Sequence, residues 1–598
     1  MLKKDQCWRC DTICSPPSPK IACSGCGIAL YCSNVCKHSD VFRHQVDCQT
    51  AALKRKCAGC GKEKTGLRPC GSCRKEWYCD KECQRKSWPT HKTDCQAISA
   101  KTEELSRQLK FGYDLKKSLT GPGMGTVYYW GNMPAVDLIN LPLNEGVQYN
   151  KPLSILVCGV GDPRNVVLSL SQLPDSYKEE LTFVLNDICP CVMARTVLLL
   201  YMLIEGGEQI ANSVTQIWYS LRLSEEDFRL VMHTIQELIH ASSLEELTRG
   251  TMKIEQDHFY KLVQVWRTWL HLSSQEGDWI TEERRRMFEK DRGSKDGIDL
   301  YLKEIPKEHK TSASDWFANG ILLPKGSRKE LTRENVTLTG IPAGFLNQSD
   351  GPYPFRYILV PSVIPFISWD YKDVKQHFHC ASLLKMYSQY VGHLFERCVT
   401  TLASGKVKFH FLLSNCMEMT PFLPADRKYD RVTTSNIGDY VPLTSILDVC
   451  KPLLNKANPS GVIITEFQNW SQHHTLFQKE LLHYLQMTKS FRQQVLQDTK
   501  NPAIANSDGR VAFVEYLDHS EEFIQFLRAA LHVTDRETSD KVNRRRTWRS
   551  VADYNGLVAR DFLRCQNRVF PAKWMQNCRR VTMMTGYERA VEWIVNPQ

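Results

Sequence analysis

Leu153-Ser154-Ile155-Leu156-Val157-Cys158-Gly159-Val160-Gly161-Asp162-Pro163-Arg164-Asn165 decides how most of this chain folds. A run from Leu153 to Val157, apolar except for Ser154, fits a buried strand. The glycines at 159 and 161 then turn the chain sharply. Val166 to Leu173 follows with helical spacing. A second apolar run, Leu181 to Leu185, ends in Asn186-Asp187, and Ala194 to Ile204 is helical again. Strand, glycine turn, helix, strand, acid, helix is the opening of a parallel α/β sheet.

In nucleotide-binding sheets of this kind the glycine turn lets backbone approach a ligand, and the acid after the second strand accepts from ribose hydroxyls. Asp187 follows Gly161 by 26 positions, which suits that role. The layout resembles S-adenosylmethionine-dependent methyltransferases. That resemblance implies a Rossmann-like domain with Gly159, Gly161, Asp162 and Asp187 as cofactor-binding residues, and Ser435, Asn436 and Asp439 on the substrate side. Two departures weaken the cofactor assignment. Val157 stands where that family has an acid, and Pro163 where it has a third glycine.

Further blocks extend the likeness. Trp130-Gly131-Asn132-Met133-Pro134-Ala135-Val136-Asp137, Gly161 to Asn165, Asn186-Asp187-Ile188 and Tyr429 to Tyr440 resemble an uncharacterised domain. It occurs beside zinc fingers in fungal and invertebrate proteins, and in the axonemal dynein assembly factors of the third type. The resemblance covers most of 127 to about 490 and implies a scaffold or assembly factor with no established reaction.

Upstream the chain changes character. Fifteen of its 24 cysteines lie in the first 95 residues, and they recur as a repeat. Cys7, Cys10, Cys23, Cys26, Cys32, Cys36, His44 and Cys48 form one unit; Cys57, Cys60, Cys70, Cys73, Cys79, Cys83, His91 and Cys95 form the next. Cys-x2-Cys turns place two sulfurs on one tetrahedral ion, and i,i+4 pairs share a helix face. Each unit is too small to bury a core, so metal must supply folding energy. A disulfide framework is the competing reading, disfavoured by the histidines and a reducing compartment. Cys14 is a spare thiol that could compete with Cys10. Ser33 and Asp80 stand where helix N-caps are wanted.

The pattern resembles the MYND family, which implies interleaved zinc binding and four ions per chain. Cys7, Cys10, Cys32 and Cys36 would hold one ion, and Cys23, Cys26, His44 and Cys48 the next. In the second unit Cys57, Cys60, Cys79 and Cys83 pair with one ion, and Cys70, Cys73, His91 and Cys95 with the other. The family also implies a partner with a short proline-containing motif. Cys83-Gln84-Arg85-Lys86-Ser87-Trp88-Pro89-Thr90-His91 keeps the family's Gln and Trp; the first unit has Lys37 and Val41 instead. Gln84 and Trp88 are therefore the expected peptide-binding residues, with the first finger mainly structural.

The whole is read as two small zinc-stapled modules, at 7–48 and 57–95, joined by a linker at 96–125 to a large α/β domain at 126–490. That domain carries helical and β-rich insertions, and a C-terminal α+β extension follows at 491–598. Residues 210–320 read as helical, with Trp218, Trp266, Trp269 and Trp279 as anchors. His377, His379 and Cys380 read as packing rather than metal ligands. A net charge of +11 invites a nucleic-acid reading, and residues 1–100 hold 18 Lys/Arg against 9 Asp/Glu. Fourteen thiolates and four Zn²⁺ would reduce that segment to about +3, which disfavours nucleic acid. No secretory signal or 20-residue apolar span is present, so the expected location is cytoplasmic, with the nucleus as the alternative. No SET lysine-methyltransferase element, Gly-x-Ser-x-Gly elbow or kinase signature is found, so no catalytic residue is assigned.

Overall fold

The structure, a computed structural model, describes residues 21–24, 30–39, 55–64, 67–70, 76–119, 128–290, 292–328, 330–341, 355–359, 363–424, 426–473, 520–533, 553–554, 556–560, 567–570, 581–582, 584 and 588–595. Of the first cysteine unit, Cys7, Cys10, Cys26, His44 and Cys48 lie outside them, as does Cys73 of the second.

The apolar runs form a sheet of nine strands among the described residues. In chain order these are β1 (Leu153–Cys158), β2 (Leu181–Asp187), β3 (Met252–Ile254), β4 (Val407–Leu413), β5 (Arg431–Thr433), β6 (Val462–Phe467), β7 (Asp553–Tyr554), β8 (Leu557–Ala559) and β9 (Arg589–Val595). Their spatial order is β3-β4-β2-β1-β5-β6-β9-β8-β7. Pairs from β3 through β6 are parallel; β9 runs antiparallel to both β6 and β8.

Both faces of the sheet are covered. In β1, Leu153, Ile155 and Val157 enter one core while Leu156 and Cys158 enter the other. A strand buried on both sides cannot show regular polar alternation, which is why β1 reads as a mostly apolar run. The larger core is built by α2 (Arg164–Ser171), α3 (Pro190–Glu205), α4 (Leu383–Leu402) and the helical insertion between α3 and α4. Trp218, Trp266 and Trp269 are fully buried in it, and Trp279 packs against it.

The second core lies under α1 (Lys81–Leu119), α5 (Leu443–Cys450) and α6 (Ser520–His532). Two expected boundaries change here. The segment 96–125 is no free linker up to residue 119, because α1 runs unbroken out of the cysteine unit. Its Leu105, Leu109 and Tyr113 are buried in the second core, beside α6. Nor does the α/β domain end at 490. Strand β9 pairs with β6 over Ile463–Phe467, and Phe523, Phe526 and Leu527 of α6 fill the second core.

Two short hairpins that lead into helices are described in the first 95 residues. Ile21–Ala22 pairs with Leu30–Tyr31, and Arg68–Pro69 pairs with Trp77–Tyr78 in the same register. The helices that follow begin at Asn34 and at Lys81. Strands and helix starts are thus offset by the 47 residues that separate the cysteines.

Candidate functional sites: a cysteine-histidine finger and a glycine-turn crevice

The second cysteine unit folds around two groups of ligand atoms. Cys57, Cys60, Cys79 and Cys83 have sulfurs within 4.8 Å of one another, and Cys70, His91 and Cys95 form a second group within the same limit. The two arms of each group come from different elements. A tight turn, with Gly61 N–H donating to Cys57 O at 2.8 Å, presents Cys57 and Cys60. Helix α1 supplies Cys83, His91 and Cys95. Asp80 caps that helix as expected: its Oδ1 accepts from Cys83 N–H at 2.9 Å. Gly59 lets the turn sit on the helix start, since a Cβ there would lie 2.2 Å from Cys83 O.

The donor set fits zinc. The sulfurs of Cys60 and Cys79 are 3.7 Å apart, and those of Cys70 and Cys95 are 3.9 Å apart. A tetrahedral ion with bonds of about 2.3 Å separates its sulfurs by about 3.8 Å, whereas a disulfide needs about 2.05 Å. The four residues of the first group would hold one ion, and Cys70, His91 and Cys95 would hold the other with a fourth donor. The unit's own core is small (Cys57, Leu67, Cys70, Tyr78 and Cys95), so bound metal would supply much of its folding energy.

Trp88 stands beside the second group. Its ring meets His91 edge-on at 6.0 Å, and the residue is 38% exposed. Gln84, one turn earlier, is half-buried. Outside the finger, no further group of three metal-ligand side chains occurs among the described residues. His377 bonds Asp373 O through Nδ1 at 2.7 Å and packs on Tyr390, so His377, His379 and Cys380 form no metal cluster.

The glycine turn lies at the carboxyl ends of the parallel strands, where chain order reverses between β1 and β5. Ligands of open α/β sheets sit at such a reversal. Gly159 and Gly161 both have left-handed backbone, with φ of 67° and 59°. Ser435, just past β5, is also left-handed at φ 47°, a strained setting for a residue with a Cβ. The Ser435–Asp439 turn closes over Gly159: a Cβ placed on that glycine would lie 3.5 Å from Ile437 and 3.7 Å from the Ser435 Cβ.

The acids of this crevice are engaged by the fold. Asp187 accepts from Gly161 N–H at 3.0 Å through one oxygen and from Cys189 N–H at 2.9 Å through the other. Burial pushes its carboxyl up, while those amides pull it back. Asp162 accepts from Gly131 N–H at 2.7 Å and from the Arg164 guanidinium at 2.6 Å. That guanidinium lies flat over Gly131, where a Cβ would come 2.1 Å from its carbon, and donates to Met133 O at 3.0 Å. Asn165 accepts from Val136 N–H at 3.0 Å. The Trp130–Asp137 and Gly161–Asn165 blocks are thereby stitched together. Asp439, fully buried, accepts from the backbone of Gln468 and Asn469 at 2.9 and 3.0 Å and from Asn436 at 3.3 Å.

Sequence reading missed Arg164 and Glu466 as members of this cluster. Glu466 is buried at the end of β6, and burial lifts its carboxyl to about 7. Arg164 opposes the rise and Asp439 adds to it. No local motif marks Glu466, because its neighbours come from other strands. The nearby Cys416 thiol is pushed up to about 12 by burial and by Asp187.

Residues 57–95 match the family model of the MYND finger. The α/β part is matched by a second family model, a domain of unknown function (DUF4470), over residues 129–223. The chain is also similar to dynein axonemal assembly factor 3 of Danio rerio, at 25% identity over 162 residues. That stretch is 25% of this chain and 34% of the relative, so the match spans about a third of the relative's length. No solved structure matches. No described helix is long and apolar enough to cross a membrane.

Proposed function

We infer that this protein is a zinc-dependent interaction adaptor. Two tandem fingers hold four zinc ions. The second presents Trp88 and Gln84 to a proline-containing segment of a partner, and the α/β domain acts as a scaffold or assembly factor. The observation that carries the scaffold reading is the engagement of the acids. Asp187 ties Gly161 and Cys189 together and Asp162 holds Gly131 and Arg164, so both acids have a structural task in the turn with no ligand bound. The similarity to an assembly factor supports the same reading.

A second reading, an S-adenosylmethionine-dependent methyltransferase, is favoured by one observation. Counting only the strands of the parallel core, without the edge strand β3, the order is third-second-first-fourth-fifth, as in Rossmann-like sheets, with two left-handed glycines at the reversal. Calorimetric titration of S-adenosylmethionine into zinc-loaded protein separates the two. The scaffold reading expects no heat of binding. Micromolar binding that Asp187→Ala abolishes would replace it with the enzyme. Metal analysis should return four zincs per chain, and two or fewer would sink the tandem arrangement. On a peptide array, Trp88→Ala should erase the signal for proline-containing peptides.

A further inference from the structure

Helix α1 carries, beside its metal-ligand face, a second pattern that the metal does not use. Lys81, Arg85, Trp88 and Lys92 follow at steps of four, three and four, which sets them in one stripe along the helix. All four are exposed, while Cys95 and His91 on the neighbouring face are buried. Among the described residues Lys81, Arg85 and Lys92 have no ion-pair partner. Glu82 and Asp94 project from other faces of the helix by their spacing. The next charge in line with the stripe is Glu103, of opposite sign, about 16 Å beyond Lys92. The cationic stripe therefore has two ends and an apolar ring between them.

Lys81 and Lys92 lie about 16 Å apart along the axis at 1.5 Å per residue. An extended chain covers that distance in about five residues. We propose that the second finger binds an acidic-flanked segment of a partner protein: an apolar, proline-containing centre on Trp88, with Asp or Glu on both sides meeting Lys81, Arg85 and Lys92. This rests on the reading of the second finger as a peptide reader and gives its partner a charge. Three cations around a single aromatic ring suit a short peptide. Single-stranded nucleic acid is instead held by several aromatic rings ranged along a basic groove.

The test uses the zinc-loaded full chain and two labelled seven-residue peptides, read by fluorescence anisotropy. One has a Pro-Leu-Pro centre with two Glu on each side; its twin has Gln for every Glu. The acidic peptide should bind about tenfold tighter at low salt, with the gap closing near about 0.5 M salt as exposed charges are screened. The triple substitution Lys81→Gln, Arg85→Gln and Lys92→Gln should bring the twins level while leaving the neutral twin unchanged. Equal binding of both twins to the native chain would overturn the acidic partner and leave the peptide reader standing. Binding of neither would overturn both. A single-stranded oligonucleotide that displaces the acidic peptide and binds more tightly would overturn it in favour of nucleic acid.

Discussion

Asp187 was legible in place, while the backbone amides it holds were not. Its distance from the glycine turn put it at the crevice, and it is there, but its oxygens tie Gly161 and Cys189 into the turn. Nothing in the local sequence shows which backbone amides will come within reach. Arg164 is a similar case, since its place over Gly131 depends on a segment 31 residues earlier. Gly131→Ala should therefore expel the guanidinium from Asp162 and cost about 2 kcal/mol or more, as overpacking combined with a broken buried pair does. Hydrogen exchange at residues 130–137 would show it, and unchanged protection there would refute the stitching described for these blocks. Glu466 gives a pH signature. Its folded carboxyl sits at about 7 against an ordinary 4.5, so the native state holds that proton more tightly than the unfolded chain does. Its contribution is complete below 4.5 and is lost as pH rises through 7. Glu466→Gln should match the native protein in acid and exceed it by about 1–3 kcal/mol at higher pH. Denaturant melts on either side of that window would decide, and a pH-independent difference would rule the linkage out.

At the scale of elements, α1 was legible as a helix and not as a support. Thr102 to Leu119 is polar in composition, and among its described side chains Leu105, Leu109 and Tyr113 mark the buried side. Apolar residues scattered through so polar a stretch read as a connector until a surface is supplied. That surface is α6 and the turn after β5, where the Tyr113 hydroxyl donates to Gly438 O at 3.0 Å. Leu109→Ala, at a fully buried position, should destabilise the α/β domain by about 2–5 kcal/mol. A thermal melt at native midpoint would mean that the helix merely rests on the sheet. Chelating the zinc should raise hydrogen exchange at the Cys57–Cys60 turn and over the first turns of α1, since the ligands that fix them would be released. Equal exchange with and without chelator would deny zinc that structural role.

Across the whole molecule, β1 and β2 could be read because each is a largely apolar run followed by a turn, and β5 because it runs into a polar loop. The antiparallel end could not. Strand β9 begins more than 100 residues after β6, and nothing periodic announces that Arg589 to Trp593 will pair with Phe467 back to Ile463. Its partner β8 is three residues long. Long-range pairing of this kind is set by the open edge of β6, which a one-dimensional pattern does not display. Deleting residues 588–598 should bare that edge and the Trp593 side of the second core. The shortened chain is expected to aggregate in light scattering where the full chain stays monodisperse.

The continuity of α1 fixes a bearing as well as a distance. From His91 to Tyr113 the helix advances about 33 Å with no joint described between them. One residue inserted on the solvent side of Leu105 would swing the finger through about 100° relative to the sheet while lifting it only about 1.5 Å. Seven residues would return it nearly to its old heading, two turns further out. Between Cys95 and Leu105 the number of amino acids matters more than their identity. A partner gripped by the finger is aimed at the sheet by a count of residues.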